Sequence, residues 1–271
     1  MMAWSSSILL LAAAAPDALE IVRRAMDSEF LKQDLVQQYT MKSEHTERSY
    51  DKAGRLQKTE SQTYDTLFVY GDLYRRLVAR NGSPLKPDDE RKEEKKLREF
   101  TEKRAKETLE QRARRTADKE RESVKRRELL KDIPNAFDFR IVQEESIDGR
   151  GVWQIEGKRK PVFRPRSKQS EILSKLQGKL WVAKEGHHVV RADLELMEPV
   201  SFGWFLAKLD RGARLRWDFT RVNNEVWLPR RLNAEYDARL LGKKVRRRDE
   251  TVMSEYRKFQ VDSRVISAAE N

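Results

Sequence analysis

The sequence predicts an α+β fold: one large, curved antiparallel sheet, an N-terminal amphipathic helix, and one long charged helix inserted between strands. Three observations predict it. Apolar residues alternate with period two through most of the chain, in stretches separated by Gly- and Asn-bearing turn signals. A short run of helical periodicity near the N-terminus interrupts that alternation. A second interruption runs from Lys86 to Asp132, where 18 Lys/Arg and 14 Asp/Glu occur with no glycine.

The chain opens with MMAWSSSILLLAAAAPDALE. Ile8 to Leu11 form a short apolar core, an alanine run follows, and Ala12 and Ala14 fit an A-x-A processing site. Residues 1–14 are therefore expected to be a signal peptide, cleaved near Ala14/Ala15. In PDALEIVRRAMDSEF, Pro16 stands at a helix start. Leu19, Val22 and Met26 share a face, with Ala18, Ile21 and Ala25 beside it. This spacing predicts an amphipathic helix over residues 16–28.

Strand periodicity follows. LVQQYTMKSEHTERSYD and RLQKTESQTYDTLFVYG flank the turn DKAGR, and DLYRRLVARNGSPL ends at Asn81-Gly82, giving a three-strand meander. The charged segment 86–132 comes next. It opens with Asp88, Asp89 and Glu90, as the helix dipole favours. Its small or apolar residues Leu97, Thr101, Ala105, Leu109, Ala113 and Ala117 recur every four positions. So thin a seam predicts one solvated helix held largely by i,i+4 ion pairs, whose removal leaves the sheet intact. Ile133-Pro134 marks its end.

FDFRIVQEESIDGRGVWQIEGKRK reads as a hairpin about Asp148-Gly149. LQGKLWVAKEGHHVVRADLELME is a second hairpin, turning at Lys184-Glu185-Gly186. Val190, Ala192, Leu194 and Leu196 form its apolar face against Arg191, Asp193 and Glu195. MEPVSFGWFLAKLDRG is an apolar linker. ARLRWDFTRV and EVWLPRRLNAEYDARL pair about Asn223-Asn224, and KKVRRRDETVMSEYRKFQV is the last strand. The count is about ten strands.

Composition excludes several functions. Mean hydropathy is −0.85, and no run approaches the ~20 apolar residues of a membrane span. There is no cysteine, hence no disulfide, thiolate metal site or lipid-modified cysteine. The net charge of +12 permits nucleic acid, anionic lipid or acidic polymers as partners. The excess lies mainly over residues 205–259, with 15 Lys/Arg against 8 Asp/Glu. Aromatic interleaving of the RNA-binding type is missing there, so no nucleic acid partner is expected. His187 and His188 fall on opposite faces of a strand and cannot share a metal. No G-x-S-x-G, P-loop, H-E-x-x-H or dinucleotide fingerprint occurs, and the carboxylates sit in charge runs. The sequence thus gives no enzyme signature, no metal site and no cofactor.

A leader, the helix ALEIVRRAM and a long meander together resemble the LolA/LolB-type outer-membrane lipoprotein-sorting superfamily. The resemblance extends to a branch of bacterial envelope proteins with an inserted charged helix. YRRLVARNGSPL, AFDFRIVQEESIDGRGVWQIEG, GKLWVAKEGHHVVR, SFGWFLAKLDRGARLRW and NNEVWLP carry it. It implies an unclosed β half-barrel over residues 15–265, interrupted by 86–132, whose concave apolar face holds acyl chains under a helical lid. It also implies a periplasmic location. On that reading, strand alternation turns Leu180, Val190, Leu194, Leu215, Trp217, Phe219, Val226 and Leu228 to the concave side. The apolar linker places Trp204 and Phe205 at its lip. The expected function is a non-enzymatic carrier of lipid or lipoprotein acyl chains, with peripheral contact to anionic membrane. The alternative is an envelope scaffold that binds a partner protein through helix 86–132.

Overall fold

The computed structural model describes residues 16–31, 33–36, 38–202 and 207–259. The expected signal peptide and the lip residues Trp204 and Phe205 lie outside the described residues. Helix α1 (Ala18–Leu31) and a single turn, α2 (Gln33–Val36), lead into four strands: β1 (Tyr39–Tyr50), β2 (Leu56–Val69), β3 (Asp72–Arg80) and β4 (Ser83–Pro84). Helices α3 (Pro87–Ala105) and α4 (Leu109–Ala136) follow. Strands β5 (Phe137–Ile147) and β6 (Arg150–Arg159) then precede a 3₁₀ turn, Ser170–Lys175. The remainder is β7 (Leu176–Ala183), β8 (Val189–Leu196), β9 (Val200–Phe202), β10 (Ala207–Leu209), β11 (Arg214–Val222), β12 (Val226–Leu240) and β13 (Lys243–Lys258).

All thirteen strands join one antiparallel, unclosed sheet. Its order is β4-β3-β2-β1-β13-β12-β11-β8-β7-β6-β5, with β10 beside β12 and β9 beside β10. The fold is therefore the expected α+β class with a large open sheet. Short turns set much of the register. Tyr70-Gly71, Asn81-Gly82, Asp148-Gly149 and Leu241-Gly242 each place two consecutive residues at positive φ, which matches the strand twist. The expected linker between β8 and β11 contains the small β9–β10 pair, and β10 continues along β12 where β11 stops.

The charged helix is divided. Lys106 to Thr108 break it, and Thr108 starts α4 with a capping box. Its hydroxyl accepts from Gln111 N at 3.2 Å, and its backbone N–H donates to Gln111 Oε1 at 3.0 Å. The expected seam loses contact at this break: Leu109 is 83% exposed, and Ala105, Ala113 and Ala117 are exposed. Attachment comes instead from Phe100, whose ring meets Tyr74 at 5.0 Å, and from an ion cluster. Buried Asp72 at the start of β3 meets Arg104 at 2.7 Å, Arg115 at 3.0 Å, and Lys119. Glu107 meets Arg115 at 2.8 Å and Arg104 at 3.4 Å. Burial alone would raise the Asp72 pKa. Lys119, Arg115 and Arg104 outweigh it and hold the carboxyl below its ordinary range. Glu107 is likewise lowered, first by its hydrogen bond to Arg115.

Helix α4 also runs through Pro134 to Ala136 rather than stopping at Ile133. Pro134 sits in the last turn, where few bonds remain to be lost. The Asn135 side chain donates to the Lys131 carbonyl at 3.2 Å. Because β4 and β5 are the two edges of the sheet, α3 and α4 form the crossover from one edge to the other.

Candidate functional site

One face of the sheet is apolar along two cross-strand rows. The first is Ile141, Ile155, Leu180, Ala192 and Trp217, on β5, β6, β7, β8 and β11. The second is Phe139, Gly157, Gly178, Leu194 and Leu215 on the same strands. Directly opposed residues share a face, so each row is a continuous strip. Two adjacent glycines in the second row remove side chains from the middle of the floor. Leu194 leans over one of them: a Cβ at Gly178 would lie 2.9 Å from Leu194 Cδ2 and 2.2 Å from the Asp193 carbonyl oxygen. Phe139 leans over the other, 3.0 Å from the position of a Gly157 Cβ.

Helix α1 covers part of this floor. Asp17 caps it, accepting from Leu19 N at 3.0 Å. Ala18, Ile21, Val22, Ala25 and Met26 follow the i, i+3, i+4, i+7, i+8 spacing of a buried stripe. They pack on Ile155, Val182, Val189 and Ala192. Full burial of a side chain such as Ile21, Val22 or Met26 is worth roughly 1.5–3 kcal/mol. The C-terminal turns of α4 add Leu130 and Ile133 to the same cluster.

Between floor and helices remains a chamber of about 590 Å³. Met26 comes from α1, and Leu130 and Ile133 from α4. Phe137, Phe139, Leu180, Val189, Ala192, Leu194, Trp217, Phe219, Trp227 and Pro229 come from the sheet. Leu173 and Leu176 close one side. Gln177, Glu29 and Arg126 are its polar members. The opposite sheet face carries a larger groove, about 720 Å³, but its lining is charged. Arg214 there meets Glu195 at 3.6 Å, and Arg216 pairs with Asp193.

No family model and no curated protein matches this chain. Among solved structures it is similar to a domain from Vibrio parahaemolyticus assigned to outer membrane lipoprotein sorting. The identity is 12% and the TM-score 0.38, over 92% of this chain and 94% of that one. A DUF1329 family protein from Desulfovibrio piger gives 12% identity and a TM-score of 0.35, over 91% and 95% of the two chains. A LolA superfamily protein from Nitrosomonas europaea gives 12% and 0.28, over 90% and 94%. These TM-scores are low, and the architecture of this chain rests on its own strand order.

The chamber brings together four of the sequence-derived candidates: Leu180, Leu194, Trp217 and Phe219. Leu215 lies opposite Leu194 in the second row, outside the lining. Val190 is elsewhere. A bulge on β8 pairs Val182 with Val189 rather than Val190, so Val189 takes the chamber face. Val190 packs with Val152, Trp181 and Ala183. Val226 and Leu228 are also displaced, into a cluster with Tyr39, Leu35 and Val36. The β11–β12 loop has three residues, Asn223 to Glu225, because Val222 pairs with Val226. One extra residue turns the following side chains to the other face. Phe219 therefore stands opposite Pro229, and Trp227 and Pro229 reach the chamber instead. Sequence reasoning missed both, and missed Leu130 and Ile133 on α4.

The two histidines lie in the β7–β8 connection, His187 at positive φ, rather than on a strand as expected, and the turn sends their rings to different partners. The His187 ring meets Trp153 at 5.7 Å, and His188 Nδ1 lies 2.7 Å from Ser28 Oγ on α1. Among the described residues one group, His45, Glu47 and Asp249, has ligand atoms within 4.8 Å of one another. Each already has a partner. Arg247 donates to Glu47 at 2.7 Å, Tyr236 donates to Asp249 at 2.8 Å, and His45 Nδ1 lies 3.0 Å from Thr251 Oγ1. Burial, then the bond to Asp249, pushes the Tyr236 hydroxyl up to about 12. The Arg247 guanidinium supplies the positive charge beside Glu47.

Proposed function

We propose that this protein binds the acyl chains of lipids or lipoproteins and carries them in the bacterial cell envelope. One observation carries the proposal: an apolar chamber of about 590 Å³ lies between the sheet and a two-helix cover. Two glycines at its floor let Leu194 and Phe139 lie across it. Such concave apolar volume is the form ligand sites take. The signal-like residues 1–14 support export to the periplasm. On this reading residues 15–265 form one half-barrel domain, and 86–132 contributes the arm that brings Leu130 over the chamber. The lining suits binding rather than bond-making chemistry.

Native mass spectrometry of protein purified from its own envelope fraction tests the proposal, together with uptake of the neutral probe N-phenyl-1-naphthylamine. A co-purified lipid and saturable uptake are expected. Leu194→Glu should abolish uptake, because an unpaired charge in an apolar wall is costly. Leu109→Glu, at a fully solvated position, should change nothing. If wild-type protein carries no lipid and takes up no probe, the carrier reading fails. The scaffold reading then stands on the exposed surface of α4, which bears Leu109 and Val124.

A further inference from the structure

A second pocket of about 460 Å³ abuts the chamber at the end of the sheet where three loops meet. Its rim is basic. Arg150 follows the β5–β6 turn, Lys184 starts the β7–β8 turn, and Arg221 precedes the β11–β12 loop. The glycines Gly149, Gly151 and Gly186 keep the rim low. Trp227 lines both cavities. The change from one environment to the other takes one residue: His188 lines the basic pocket and Val189 the apolar chamber.

The charges at this rim are not all neutralised. Lys184 is held by Glu144 at 2.5 Å, and Glu185 is an acid on the same rim. Arg150 and Arg221 have no carboxylate partner among the described residues. Arg150 stacks over the Trp227 ring at 5.3 Å. Arg221 donates one N–H to the Asn224 carbonyl at 2.7 Å, which leaves the rest of its fork open. The Trp227 indole N–H is buried and has no acceptor among the described residues. A buried donor in that state favours an incoming acceptor oxygen.

We infer that the ligand is an anionic amphiphile, with its alkyl chain in the chamber and its carboxylate or phosphate headgroup bound by Arg150 and Arg221. This rests on the acyl-binding reading and narrows it to a class. Arginine suits the task because its planar fork binds carboxylate and phosphate oxygens through paired N–H groups.

The test uses the mature chain at neutral pH and low salt, where charge contacts are least screened. Dodecanol, dodecanoate and dodecyl phosphate each displace N-phenyl-1-naphthylamine, and inorganic phosphate is the headgroup-only arm. Wild type should bind both anions on the order of tenfold tighter than dodecanol, as two charge-assisted contacts warrant. The double variant Arg150→Gln/Arg221→Gln should lose that preference while still binding dodecanol. Arg221→Gln alone, at an exposed position, should lose part of it and covers the case in which the double variant misfolds. Anions no tighter than dodecanol in wild type, or a preference that survives in the variants, overturns the inference. So does phosphate binding that gives dodecyl phosphate no advantage over dodecanol. If dodecanol displaces the probe, those outcomes leave the acyl-chain reading standing. If neither probe nor dodecanol binds, that reading falls and the headgroup site falls with it.

Discussion

Replacing Gly178 with alanine places a methyl group where the sheet has no room. The new Cβ would lie 2.2 Å from the Asp193 carbonyl oxygen, 2.9 Å from Leu194 Cδ2 and 3.1 Å from Leu194 Cα. Ordinary contacts between carbons sit near ~3.5 Å. Two of the three atoms belong to the backbone of β8, so a rotamer change cannot relieve them, and β7 and β8 must part locally. Overpacking costs roughly 1–3 kcal/mol, and a clash with backbone belongs at the upper end of that range. Since about 1 kcal/mol moves the Tm of a domain this size by ~2–4 °C, Gly178→Ala should lower it by roughly 5–10 °C. Gly157→Ala is the internal comparison. Its Cβ would meet the Phe139 ring at 3.0 and 3.4 Å and Phe137 Cβ at 3.5 Å. These are side-chain atoms, and the Phe139 ring can turn, so the loss should be under about 1 kcal/mol. Thermal unfolding followed by circular dichroism compares the two. An unchanged Tm for Gly178→Ala, or a larger loss for Gly157→Ala, refutes the placement of Leu194 over a bare glycine.

Two further predictions concern the charged helices. Deleting Lys86 to Asp132 and closing the gap with two Gly/Ser residues should abolish cooperative unfolding, contrary to the sequence-based expectation that the sheet survives, because the helices are the crossover between its edges. Edges β4 and β5 are ten strand spacings apart, ~48 Å along the curved sheet and roughly 31 Å straight across a half-circle, and two added residues with Ile133 to Ala136 reach at most ~25 Å. A deletion variant that still melts cooperatively and takes up probe would show that the crossover is dispensable. Asp72→Asn should destabilise by roughly 1–3 kcal/mol, less than a fully buried pair because Arg104 and Arg115 stay partly hydrated. Asp72 and Glu107 both have lowered pKa values. Their contribution is therefore complete above the unfolded value near ~4 and is lost as pH falls through the lower folded value. Urea midpoints of wild type and Asp72→Asn should accordingly converge below about pH 4. A gap that stays constant down to strong acid would rule out the ionised clamp.

Much of the sheet was legible because its turns announce themselves. Asn81-Gly82 and Asp148-Gly149 fix hairpins that could be paired by counting. Helix α1 was legible because its five buried residues keep a strict helical spacing. The break at Thr108 was not, since no glycine or proline marks it and Thr108–Gln111 is a weak pattern within a run of charges. The chamber lining was legible on β7, on β11 and on β8 beyond its bulge, where alternation holds. It failed where a single residue changes the count. The bulge on β8 exchanges Val190 for Val189, and Glu225 lengthens a loop that Asn223-Asn224 alone would close. Alternation along one strand carries no trace of either event, because both are properties of a pair of strands.

A second bulge shows how the chain recovers. Asp218 pairs with Arg231 but Phe219 pairs with Pro229, so Arg230 is the extra residue on β12. It undoes the shift made by the three-residue loop, and Leu232 again stands opposite Trp217. Beyond that point Leu232, Ala234, Tyr236, Ala238 and Leu240 keep one face of β12 apolar, but β13 sets mostly polar residues opposite them, so hydrophobic pattern sets the register only weakly. There Arg48 of β1 lies directly opposite Arg248 of β13, a pairing of like charges. Each is drawn aside to a carboxylate: Arg48 to Glu250 at 3.6 Å, and Arg248 to Glu235 at 3.6 Å. Arg246 holds Asp237 at 2.8 Å in the same way. Exposed pairs such as these are worth at most ~1 kcal/mol each, too little to hold the sheet by themselves. Their effect is on choice between registers, since a slip would separate these contacts together. The apolar half of the sheet therefore supplies stability around the chamber, while the charged half supplies alignment. That division accounts for a chain with as many charged as hydrophobic residues, 38% of each, folding into one continuous sheet.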